Sequence, residues 1–145
     1  MNSKKSPLPT CPIARSLDVL GDAWTILILR DASAGLTRFD QFRKSLGIAP
    51  TMLTKRLAML TEEKLLEKRQ YSERPPREEY VLTEAGRDYV PVLFMIAAWG
   101  QKHRGGGKLT RFLDAEKGTD LKPIAIDAVT GAPIGTREIR ISLPE

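Results

Sequence analysis

Residues 39–60 read FDQFRKSL-GIAP-TMLTKRLAML, and no other stretch restricts the fold as tightly. Phe39, Phe42 and Leu46 recur at helical spacing, as do Leu53, Leu57 and Leu60. Gly47 stops the first segment, and Pro50 suits the first turn of the second. Two short amphipathic helices joined by a tight glycine-containing turn have the spacing of a helix-turn-helix.

The second helix has two unlike faces. With Leu53 at the origin of a helical wheel, Leu57, Leu60 and Lys64 fall beside it. Thr51, Lys55, Ala58 and Glu62 fall opposite, with Met52 and Thr54 on the flanks. The leucine side must enter a core. The other side is short, polar and lightly basic at its N-terminal end, whereas an ordinary solvated face more often carries long charged residues throughout.

The flanking sequence builds outward from this pair. Pro12 suits the first position of a helix with Cys11 as N-cap, Ile13, Leu17 and Leu20 as its apolar stripe and Gly21 at its end. Asp22 opens a second helix that runs towards Gly35, apolar nearly all round at Trp24, Ile26, Leu27, Ile28 and Leu29, hence buried. LTRF, 36–39, reads as a short extended piece. After the helix-turn-helix, 65–71 alternates as a strand, SERPPRE at 72–78 is a proline-rich turn, and 79–83 returns as a second strand, which makes a wing. Thr83 caps one long helix over 84–103, bent at Pro91. Beyond the RGGGK linker, LTRFLD, LKPIAID and TREIRISL read as three short strands, with glycine turns at Gly118 and Gly131 and no evident repeat.

Charge narrows the partner. The net charge is +5, and it sits wholly in residues 1–105, with 17 Lys/Arg against 12 Asp/Glu; residues 106–145 carry six of each. A basic front part points to an anionic partner, nucleic acid first. One cysteine forbids an internal disulfide and fits a reducing compartment. No apolar run reaches the roughly 18–20 residues of a membrane span, and residues 1–10 have no hydrophobic stretch of a signal peptide behind them. The expected location is cytoplasmic, away from membranes. One His and one Cys cannot build a zinc site, and neither a phosphate loop nor a nucleophile–base pair is present, so neither an enzyme nor a cofactor is expected.

Residues 11–100 resemble the HxlR-type winged helix-turn-helix transcriptional regulators, which are MarR-like. The marks are CP at the first helix, W followed by LILR, RFDQF, P..LTKRL..L, PPR.EY.LT..G and a final AWG. The resemblance implies a homodimer on double-stranded operator DNA, with helix 50–60 in the major groove and wing 72–78 on the minor groove or backbone. It departs at Ala49, where the family usually has a capping Ser, and at Ala58, where a longer polar residue is common. The expected fold is therefore α+β, mainly α: a winged helix-turn-helix with a long C-terminal dimerisation helix and a small appended β unit. Its parts are a flexible arm (1–10), the DNA-binding and dimerisation domain (11–104), a glycine linker (105–107) and the β appendage (108–145).

On this reading Thr51, Met52, Thr54, Lys55 and Ala58 face the DNA from the helix, with Arg38 at the start of the preceding one and Arg74 and Arg77 from the wing. Lys55 can reach guanine or phosphate, and the methyl groups of Thr and Ala suit a thymine methyl. The wing arginines suit phosphates first, since most protein–DNA hydrogen bonds go to the backbone. Tyr89, Leu93, Ile96, Ala97 and Trp99 are the expected dimer face, with Trp99 open to a core role instead. Cys11 is the one redox candidate. Some members of the family sense oxidants near this place, but the CP pair also occurs in members without that role, and a half-buried cap with no chemistry is the favoured reading. The tail looks like two knuckles of a zinc ribbon with Lys117, Asp127 and Thr130 at cysteine positions, hence metal-free; an unrelated β-meander fits equally. The alternative to a repressor is a winged-helix protein-interaction module with incidental DNA affinity.

Overall fold

The computed structural model describes residues 10–145; the expected arm lies almost wholly outside the described residues. The described residues form two compact units: 10–90 with 144–145, and 91–143. The chain thus divides before Pro91, not at the glycine linker.

The first unit is the winged helix-turn-helix. Its elements are α1 (Pro12–Leu20), α2 (Ala23–Ser33), α3 (Phe39–Leu46), α4 (Pro50–Glu62), β1 (Leu66–Glu73), β2 (Pro76–Leu82) and α5 (Glu84–Asp88). Asp22 caps α2 by accepting the Thr25 N–H at 3.2 Å. Gly47 adopts φ 62, the left-handed conformation that ends α3 and sets the tight turn into α4. The core is Ile28, Leu29, Phe42, Leu53, Leu57 and Leu60, each at most 1% exposed. Trp24 and Phe39, expected in that core, are only half-buried, while Ile48 and Leu66 take fully buried places. Lys64 leaves the leucine face because α4 ends at Glu62 and Lys64 turns to φ 67.

β1 and β2 pair antiparallel from Leu66↔Leu82 to Glu73↔Pro76, with a bulge between Gln70 and Ser72. The hairpin is longer than the sequence suggests and the turn shorter: only Arg74 and Pro75 lie between the strands. Residues 36–38 form no strand, but the Tyr80 N–H donates to the Thr37 carbonyl at 2.7 Å and ties β2 to the start of α3. At the other end Thr83 does two things. Its hydroxyl donates to the Lys64 carbonyl, and its oxygen accepts the Gly86 N–H that caps α5.

The expected single helix over 84–103 is broken. α5 ends at Asp88, Tyr89 caps it, and α6 runs Val90–His103. Pro91 cannot donate to a carbonyl of the preceding turn, and here the loss separates two helices instead of bending one. In the second unit, Phe94 of α6 meets Phe112 edge-on with ring centres 5.3 Å apart.

The rest of that unit corrects the expectation of three strands. It holds only two isolated bridges, Leu113↔Asp120 and Ile126↔Pro133. Around them lie two copies of one turn, LDAEKGTDL and IDAVTGAPI. In each, the glycine N–H donates to the carbonyl of the Asp four residues earlier (Gly118 to Asp114, 2.7 Å; Gly131 to Asp127, 2.8 Å). Leu121 donates to Phe112 and Ile134 to Ala125 at matching places. Both glycines sit at positive φ, 69 and 72. Each Asp side chain also accepts inside its own turn: Asp114 takes the Lys117 N–H at 2.7 Å, and Asp127 takes the Val129 N–H and the Thr130 hydroxyl. An internal repeat is therefore present, and carboxylates organise both turns.

Candidate nucleic-acid interface

The leucine face of α4 is sealed, with Leu53, Leu57 and Leu60 at 0–1% exposure. On the other side Thr51, Thr54, Lys55 and Ala58 are exposed, and Met52 is half-buried on the flank. The Thr54 hydroxyl donates to the Pro50 carbonyl at 2.9 Å, which leaves its oxygen as an acceptor towards an outside donor. No side chain caps the helix at Ala49. Its first-turn N–H groups thus remain open to an anion. Lys55 makes no ion pair with any described residue.

Sequence reasoning missed a group that ties this helix to the start of α2. Arg56, beside Lys55 but turned inward, donates from Nη2 to Asp22 Oδ2 at 2.9 Å. Asp22 thereby caps α2 with one oxygen and holds α4 with the other. Burial pushes the Asp22 carboxyl up, but hydrogen bonds from Arg56 and the Thr25 N–H, with the Arg56 charge, outweigh it and hold it below the usual value. A carboxyl lowered by folding stabilises above its unfolded pKa, and this contribution is lost as pH falls through the folded value. The sequence carries both residues 34 positions apart, with no local signal linking them.

The other candidates fall at the margins of the same unit. Arg38 is exposed at the N-cap of α3, with its guanidinium 5.8 Å from the Tyr71 ring centre at the bulge. The wing holds two cross-strand ion pairs, Lys68–Glu78 at 3.8 Å and Arg69–Glu79 at 3.0 Å. The hydrogen bond from Arg69 keeps the Glu79 carboxyl low, helped by the Thr37 hydroxyl and the Arg38 charge against desolvation. Arg74 lies in the turn and is exposed. Arg77 is exposed but stands inside β2 opposite Ser72, not at the tip. Neither arginine is in an ion pair with a described residue.

The family profile of HxlR-like helix-turn-helix proteins matches residues 19–107. The chain belongs to this family. The uncharacterized HTH-type transcriptional regulator Rv3095 of Mycobacterium tuberculosis is 43% identical over 91 residues, 63% of this chain and 58% of that protein. The chain thus spans under two thirds of the length of this relative. The crystal structure of PA1607, described as a candidate transcription factor, matches with TM-score 0.83 at 37% identity, over 92% of this chain and 94% of that one. PA1374 of Pseudomonas aeruginosa, described likewise, is 43% identical with TM-score 0.63, over 91% and 92%. Both matches reach into the tail beyond the family profile. The family is described as an HxlR-like helix-turn-helix, and this relative is named an HTH-type transcriptional regulator.

Two surfaces of this HxlR-like chain remain bare. On α1, Ile13 and Leu17 are 71% and 56% exposed. On α6 the exposed apolar residues are Val92, Ile96 and Trp99, whereas Leu93 is buried, and Tyr89 and Ala97 are half-buried. Burial raises the Tyr89 hydroxyl above its usual value. Trp99 is no core residue; it carries Arg104 at 5.4 Å over its ring and His103 beside it. Cys11 is exposed, not half-buried, and forms no side-chain cap bond. Among the described residues no cluster of His, Cys, Asp or Glu suits a metal, and no helix is long and apolar enough to cross a membrane.

Proposed function

We propose that this HTH-type transcriptional regulator acts as a homodimer that reads an inverted-repeat operator and represses by occupying it. The observation that carries the reading is α4: one face sealed by leucines, the other exposed, small and polar with an unpaired Lys55. Such a face can approach base edges without first breaking contacts within the protein. Thr51, Met52, Thr54, Lys55 and Ala58 would lie in the major groove, with Arg74 and Arg77 at the adjacent minor groove or backbone and Arg38 on phosphate. The exposed apolar residues of α1 and α6 support a second copy, since monomers seldom leave such surface in water. A two-fold dimer would set half-sites about one helical turn apart. Enrichment of bound sequences from a random DNA pool tests this directly: a palindromic consensus is expected, and recovery of unselected sequence would overturn it. A monomer by light scattering at micromolar concentration would overturn the dimer.

Helix and wing should fail differently. Lys55→Ala should cost about 1–3 kcal/mol on the selected site and relax base choice there. Arg77→Ala should weaken all DNA alike and reduce the salt slope by about one. Binding isotherms at fixed salt on selected and scrambled DNA separate the two, and an unchanged Lys55→Ala preference would remove α4 from the groove. Asp22→Asn keeps a good cap but weakens the hold on Arg56. It should narrow the ratio of specific to nonspecific affinity while thermal stability changes little; an unaltered ratio would show that the α2–α4 tie does not position α4.

A further inference from the structure

Residues 137–145 form no backbone hydrogen bond with any other described residue. Their sequence alternates polar and apolar side chains at the period of a half-buried strand. Yet Ile139, Ile141 and Leu143 are 68%, 84% and 77% exposed. An open edge with a bare apolar face is a template for another chain.

The order of residues points to which chain. Two identical strands related by a two-fold axis pair antiparallel, and residues opposite each other share a face. Registers differ in which residue lies on the axis; with Ser142 there, Ile139 is set against Glu145, and with Glu138 there, against Arg137. With Arg140 on the axis, Ile139 faces Ile141 twice, but two guanidinium groups meet and Leu143 is set against Arg137 twice. With Ile139 on the axis, Ile139 meets its copy and Glu138 faces Arg140 twice, but Ile141 is set against Arg137 twice. With Ile141 on the axis, Ile141 meets its copy, Ile139 meets Leu143 twice, and a continued ladder sets Arg137 opposite Glu145 twice. Only the last sets Ile139, Ile141 and Leu143 each opposite an apolar residue, and it adds the Arg137–Glu145 pairs. Pro144 agrees with it. If the Ile141 pair exchanges hydrogen bonds, the odd-numbered N–H groups point at the partner strand, and Pro144, which has none, points away. Residues 106–145 carry no net charge, so two tails meet without the repulsion that the basic front part would bring. A two-stranded ribbon alone is marginal. The same unit leaves Ile124, Val129 and Ile134 exposed at 69%, 93% and 55%, and two copies double the apolar surface available to cover it.

We infer that residues 137–143 pair with the same segment of a second copy as an antiparallel ribbon centred on Ile141, forming a clamp at the tail of the dimer. This rests on the homodimer reading above. The full chain with Cys11→Ser supplies a cysteine-free background. Across the axis the Ile141 Cα atoms would lie about 5.5 Å apart, within disulfide range; the two Ile139 positions would lie about 14 Å apart along the strands. Under mild oxidation Ile141→Cys should therefore form a covalent dimer at least about ten times faster than Ile139→Cys or Arg140→Cys. Separately, Ile141→Arg should raise the dimer dissociation constant about tenfold or more, measured by sedimentation. A faster reaction at 139 or 140, or an unaltered dissociation constant in Ile141→Arg, would overturn the clamp. Light scattering on the unmodified chain separates the two readings. A monomer defeats the homodimer and the clamp together, whereas a dimer in which Ile141→Cys fails to link defeats the clamp alone.

Discussion

Raising monovalent salt from about 50 to about 200 mM should weaken operator binding about a thousandfold. Arg38, Lys55, Arg74 and Arg77 are exposed, and none is in an ion pair with a described residue. Lys55, Arg74 and Arg77 are therefore free to displace counterions from phosphates, whereas Arg38 already lies against Tyr71 and near Glu79. In a dimer the set occurs twice. If about six of these contacts form, the logarithmic slope is close to −5, at about −0.9 per phosphate. Lys68 and Arg69 should add little, because Glu78 and Glu79 already hold them across the wing. The tail should add nothing, since its charges cancel. Fluorescence anisotropy on the selected site across this salt range measures the slope. A slope near −1 would leave the wing and α4 without a common phosphate track and would favour a protein-binding role for the same surface.

The sequence made α3 and α4 legible because periodicity and turn chemistry agree there. Phe42 and Leu46 require one face, Gly47 must reverse the chain, and Pro50 can only start the second helix. The wing was legible for the same reason, but its length was not. Pro75 and Pro76 suggest a broad turn, whereas the ladder runs on to Glu73↔Pro76 and confines the turn to two residues. Trp24 and Phe39 misled because size and hydrophobicity predict burial of a residue type, not of a position. The break at Tyr89 depends on whether a freed carbonyl is satisfied by a bend or by a new start. Helical spacing, which continues through Pro91, does not distinguish these. The link from Asp22 to Arg56 is tertiary and leaves no local trace. The repeat in the tail was present in the letters, as Asp-Ala-x-x-Gly at 114–118 and 127–131. It was hidden because its strands are too short to form a ladder, so hydrogen bonds within each turn replace pairing between them.

Phe42→Ala should lower the stability of the chain by about 3–5 kcal/mol. Phe42 is fully buried, in a helix that packs against both α2 and α4. Truncation loses the transfer free energy of the ring and leaves a cavity. The surroundings cannot easily collapse into it. Gly47 fixes the turn from α3 to α4, the Asp22–Arg56 pair fixes α4 to α2, and the Tyr80–Thr37 bond fixes the entry to α3. The value should therefore sit at the cavity-dominated end of the range. Against a typical total of about 5–15 kcal/mol, such a loss removes a large part of the margin. Urea unfolding followed by circular dichroism would show a lower midpoint with little change in slope. Thr51→Ala and Lys55→Ala, on the exposed face of the same pair of helices, should stay within about 0.5 kcal/mol of the parent. If Phe42→Ala cost less than about 1 kcal/mol, the helix pair would be held by something other than its buried aromatic residue. The contrast between a sealed face that carries stability and an open face that carries recognition would then lose its basis.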